Sequence, residues 1–87
     1  MSSLENLYDD MVKINIEGHE LAFERGFVEA FEYEVCDSLE KCAKFYLMTD
    51  FQEKDLEQIF ETHTELEICD VIVENAGMEL ALFRGEI

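Results

Sequence analysis

"FVEAFEYEV", residues 27–35, decides the fold, because it satisfies two structural periods at once. Taken as part of a helix over "ELAFERGFVEAFEYEV" (residues 20–35), its large apolar side chains spread around the whole circumference. That helix also carries Gly26 in its interior, at a cost of about 1 kcal/mol. Taken as a strand, Phe27, Phe31, Tyr33 and Val35 fall on one side, and Glu32 and Glu34 point to the other. Glu29 then falls on the apolar side, as at a sheet rim. The strand accounts for more of the residues, and it predicts a sheet with two carboxylates on its solvent face.

Working outward, "SSLENLYDDMV" (2–12) has Leu4, Leu7, Tyr8 and Met11 on one helical face, with Ser2 and Glu5 spaced as a capping box. "VKINIEG" (12–18) and "HELAFE" (19–24) alternate apolar and polar residues about Gly18, the pattern of a hairpin. In "DSLEKCAKFYLM" (37–48), Leu39, Cys42, Ala43 and Tyr46 line one helical face behind Ser38, a good N-cap. Residues 42–48 also fit a strand, and both readings stay open. "TDFQEKDLEQIFETH" (49–63) has the clearest helical period, with Thr49 and Gln52 as a capping box and a buried stripe of Leu56, Ile59, Phe60 and His63. "ELEICDVIVEN" and "MELALFRG" flank the glycine-containing "ENAG" and read as a terminal hairpin. The expectation is an α+β domain spanning residues 1–87, with an antiparallel sheet of about five strands packed against two or three helices.

Charge is the outlying quantity: 22 acidic residues face 6 basic ones, a formal net charge of −16. Residues 1–36 carry −7, residues 37–64 carry −4 and residues 65–87 carry −5, so no acidic tail accounts for it. A surface acidic nearly everywhere repels nucleic acid and anionic membranes and attracts basic partners. The apolar runs are too short to span a bilayer, and the first residues have neither a basic start nor an apolar core, so a cytoplasmic protein is expected. Adaptation to high salt explains the charge less well, because 16 of the 22 acids are glutamate and large apolar residues are plentiful.

Chemistry has little to stand on. Cys36, Cys42 and Cys69 lack CxxC spacing, and with only His19 and His63 to add they do not suggest a zinc site. Buried free thiols are the expected state. "DFQEKDLEQIFE" (50–61) has the length of a calcium-binding EF-hand loop, yet Lys54 occupies a ligand position and Asp55 replaces the turn glycine. His19 is expected in a solvated turn, and His63 as a half-buried structural histidine at a helix C-terminus. With no nucleophile, phosphate-binding or dinucleotide motif, the chain reads as a non-enzyme without metal or cofactor. Its six scattered cations form no nucleic-acid-binding stripe.

The acidic rows remain. Glu53, Glu57 and Glu61 repeat at i, i+4 and i+8 behind Asp50, one carboxylate every ~6 Å of helix. In the strand reading, Glu32 and Glu34 stand about 7 Å apart. Such rows cost a few tenths of a kcal/mol per pair (~0.2–0.5), and their spacing is in the range of phosphates along a nucleic-acid strand. In length, charge and the rows of "FVEAFEYEV" and "DFQEKDLEQIFE", the chain resembles small acidic decoy inhibitors: phage anti-CRISPR and anti-restriction DNA mimics, and immunity proteins against nuclease toxins. The resemblance implies a stoichiometric inhibitor that binds a basic nucleic-acid-binding protein. Glu32, Glu34, Asp50, Glu53, Glu57 and Glu61 would be its contact residues. The alternative is an interaction module or homodimer working through an apolar patch, with the charge serving solubility.

Overall fold

The computed structural model describes residues 10–86, so the expected helix at residues 2–12 lies largely outside the described residues. Strands β1 (Met11–Ile16) and β2 (His19–Glu24) form an antiparallel hairpin, as their alternation predicts. The two turn residues both have positive φ, Glu17 at 53° and Gly18 at 87°. This is the handedness that matches strand twist in a two-residue loop. Asn15 Oδ1 accepts from the Gly18 N–H at 3.0 Å and braces the turn. Ile16, Leu21 and Phe23 face the core.

The next element overturns the strand expected at 27–35. Residues Arg25–Glu34 form helix α1. The error lay in treating residues 20–35 as one element. The chain changes from strand to helix at Glu24, which leaves Gly26 in the first helical turn, where its cost is small. Once β2 is removed from the window, Phe27, Val28, Phe31 and Val35 share one face. Val28 and Phe31 are buried, Phe27 and Val35 are half-buried, and Tyr33 is 91% exposed. The strand reading had placed Tyr33 on the inside beside Phe31.

Helix α2 (Leu39–Asp50) starts where Ser38 predicts, its side chain accepting from the Lys41 N–H at 3.3 Å. It runs through residues 42–48, settling that stretch as helix, and buries Leu39, Ala43, Tyr46 and Leu47. Its end corrects the expected capping box at Thr49 and Gln52. Gln52 has φ of 52°, its N–H donates to the Thr49 carbonyl and the Glu53 N–H donates to the Met48 carbonyl. That pair of bonds is a Schellman termination, with Gln52 in the left-handed position usually held by glycine. The chain restarts at helix α3 (Leu56–Thr62), capped by Asp55, whose carboxylate accepts from the Glu57 N–H at 3.0 Å.

Helix α4 (Glu65–Phe83) replaces the expected terminal hairpin. Thr64 and Glu67 make a reciprocal capping box, and Ile68, Ile72, Ala76 and Leu80 form a buried stripe four residues apart. "ENAG" is not a turn. Asn75 donates to the Val71 carbonyl one helical turn back and to Asp50 on α2, and Gly77 lies within the helix. Among the described residues the sheet therefore has two strands rather than five, with four helices around it. The α+β class holds. No helix among the described residues is long and apolar enough to cross a membrane.

The core joins the inward face of the hairpin to α1, α2, Ile59 of α3 and the stripe of α4. Each fully buried Leu, Ile or Phe contributes roughly 1.5–3 kcal/mol before the entropy of ordering is subtracted. The Asp50–Asn75 contact joins the C-terminal end of α2 to the middle of α4.

Candidate functional site

The six carboxylates expected to form acidic rows are not in rows. Glu32 and Glu34 lie on a helix, where a two-residue step turns them about 200° apart. Half-buried Glu32 accepts from the Leu39 N–H at 2.9 Å and so serves the start of α2. Glu34 takes both Nε and an Nη of Arg84, at 2.8 and 2.7 Å, a bidentate clasp between α1 and the end of α4. That hydrogen-bonded guanidinium holds the Glu34 carboxyl below the ordinary carboxylate range. Asp50 lies against Asn75. Glu53 precedes α3 and accepts from the Asp55 N–H at 3.0 Å, so the expected ridge loses its first member. Glu57 and Glu61 do share a helix, but Glu57 is engaged by His19 Nε2 at 3.1 Å. Glu61 is exposed.

His19 is correspondingly not a free turn residue. It opens β2, its ring stacks on Phe60 with centroids 3.9 Å apart, and with Glu57 it clips the hairpin to α3. His63 fits the structural reading. Half-buried at the end of α3, it places Nδ1 3.2 Å from the Ile59 carbonyl and packs against Phe51. The cysteines are free thiols and half-buried. Burial and the neighbouring Cys36 thiol push Cys42 up to about 12. No group of three or more His, Cys, Asp or Glu among the described residues is placed to hold a metal ion.

The side chains that the fold does gather lie along the seam between β2 and α4. Two hollows follow one another there. The first, of about 330 Å³, is lined by Gly18, His19, Glu20 and Leu21 on the hairpin side and by Phe60, His63, Glu65 and Ile68 opposite. The second, of about 400 Å³, is lined by the apolar Phe23, Phe27, Cys69 and Val73 together with Glu24 and Asp70. Glu20, Glu65, Glu24 and Asp70 are all exposed. The ion pairs among the described residues use His19, Lys44 and Arg84, and none involves these four carboxylates. Lys13 shares their side of the hairpin, opposite Ala22 in register. The seam thus combines an apolar hollow with fixed negative charge at both ends, an arrangement suited to a cationic, partly apolar partner surface.

Sequence reasoning missed these four residues for different reasons. Glu20 and Glu24 were legible, since the alternation of "HELAFE" sends them to the solvent face. Glu65 and Asp70 were hidden by the misreading of α4, which put them on a strand. Searches against known families, characterised proteins and solved structures find no match for this chain.

Proposed function

We propose that this chain is a stoichiometric protein inhibitor that engages a basic nucleic-acid-handling protein and blocks its nucleic-acid site, without chemistry of its own. The observation that carries this reading is the seam: Glu20, Glu24, Glu65 and Asp70, exposed beside an apolar hollow, on a chain of net charge −16. Carboxylates held by a strand and a helix need no reordering to meet arginine and lysine, and the field of the whole surface speeds the encounter. This moves the contact from the helix ridge suggested by residues 50–61 to the seam. The remaining acids supply long-range attraction rather than a phosphate-like row.

The deciding experiment is capture of a partner from host lysate, repeated with duplex DNA or RNA as competitor and across 50–500 mM salt. Loss of the partner under both conditions, and on reversing Glu20, Glu24, Glu65 and Asp70 to lysine, is the expected result. A partner retained through all three refutes the reading.

One observation favours a second reading, a self-associating module. Phe45, Met78, Leu82 and Phe83 are each more than half exposed on α2 and the last turns of α4. Sedimentation of the isolated protein at high salt, with and without Leu82→Glu, separates the two: a salt-tolerant dimer lost on substitution supports self-association.

A further inference from the structure

The hairpin register exposes a feature beyond charge. Ile16 and His19 close a two-residue turn and therefore exchange both backbone hydrogen bonds, as do Ile14–Leu21 and Val12–Phe23 further along. The Arg25 N–H donating to the Asp10 carbonyl continues the same alternation one step beyond the strands. It follows that the backbone N–H and C=O of Glu20 and Ala22, and the N–H of Glu24, point away from β1. Among the described residues the sheet has two strands, so these groups form an open edge there, along the two hollows that residues 18–24 line. An unpaired edge is a template for another strand, which natural proteins ordinarily cover or blunt.

The geometry points to β-strand addition: the seam takes an extended segment of the partner as a third strand on β2, with apolar and basic side chains alternating along it. Both halves of that pattern follow from the pleat. On the inner side of β2, Leu21 lines the first hollow and Phe23 the second, where Phe27, Cys69 and Val73 join it to accept apolar side chains. On the outer side, Glu20 and Glu24 flank Ala22, and a strand paired there sets its alternate side chains about 5 Å away, within reach for lysine or arginine. Charge complementarity selects the cationic occupant; the free backbone groups select the extended one. This inference rests on the proposed function for the partner's basic character, and adds how that partner is held.

The probe is a synthetic ten-residue peptide alternating lysine and valine, titrated into the full chain at low salt and read by amide chemical shifts and hydrogen exchange. Two further peptides carry backbone N-methyl groups on the lysines or on the valines, which leaves charge and side chains in place but blocks one edge of the strand. Saturable binding, new protection at the Glu20 and Ala22 amides, and at least tenfold weaker binding by one methylated peptide are expected. Ala22→Pro, which removes an N–H not used by the hairpin, weakens binding by a similar factor; the methylated peptides test the point even if that variant misfolds. Equal binding by all three peptides, suppressed by salt, overturns strand addition while leaving the acidic-inhibitor reading intact. Protection of the Glu20 and Ala22 amides before any peptide is added also overturns it, because the edge is then already paired. Absence of binding by every peptide overturns it as well, and loss of lysate capture remains the separate test of the proposed function.

Discussion

Gly77→Ala gives opposite signs for the two readings of the C-terminal third. In the structure Gly77 lies inside α4 with ordinary helical φ, and a Cβ built on it meets nothing within 4 Å. The substitution therefore adds helix propensity and no clash. Glycine is about 0.8–1.0 kcal/mol less favourable than alanine in a helix interior, so Gly77→Ala should stabilise the protein by about 1 kcal/mol, roughly fivefold in the folding equilibrium. For a domain of this size that corresponds to a rise of about 4–8 °C in melting temperature. The assay is thermal and urea unfolding followed by circular dichroism at 222 nm, with the urea midpoint rising and the slope unchanged. Gly18→Ala is the internal control. Gly18 also has open space around it, but its φ of +87° strains any side chain, and this variant should lose stability. If Gly77→Ala destabilises, residue 77 is not helical and the reasoning for α4 fails.

Other substitutions follow from features of the same kind. Gln52→Gly should gain about 0.5–1 kcal/mol in urea unfolding, because it removes a Cβ from the left-handed residue that ends α2. Arg84→Ala should lower stability at pH 7 and have little effect near pH 2. The folded-state pKa of Glu34 is depressed by its hydrogen-bonded Arg84, so the contribution is complete above the ordinary carboxylate range and is lost as pH falls through the depressed value. An equal loss at both pH values would show that the clasp is packing rather than charge. Cys42 should resist iodoacetamide at pH 8 and become reactive in denaturant, since burial and the Cys36 thiol hold it protonated; mass spectrometry of the labelled peptides reads this directly.

What could be read from the residues was whatever local pattern and packing agreed upon. The hairpin carries strict alternation and a glycine in its turn, so it was legible; the serine cap marked the start of α2, while residues 42–48 fitted helix and strand alike. Two of the failures share one cause: a window set across an element boundary. Joining β2 to α1 made the apolar residues of "FVEAFEYEV" look circumferential. Joining the end of α2 to α3 concealed a termination made by Gln52, a residue that rarely adopts left-handed φ. In α4 the signal for a turn came from Asn75 and Gly77, but Asn75 is held by Val71 and Asp50, and the stripe of Ile68, Ile72, Ala76 and Leu80 outweighs one glycine. The candidate site inherited these errors, because rows of glutamate are meaningful only once the backbone that carries them is known.

The stripe of α4 from Ile68 to Leu80 completes the core against the hairpin, α1 and α2, all of which precede it in the chain. While the ribosome still holds these residues, the preceding elements lack the helix that packs over them, so the nascent domain should gain stable structure only once α4 has emerged. A message cut short within the codons for α4 would then leave a polypeptide exposed to proteolysis rather than a weakened copy of the domain. Cells making this chain would accumulate it whole or scarcely at all.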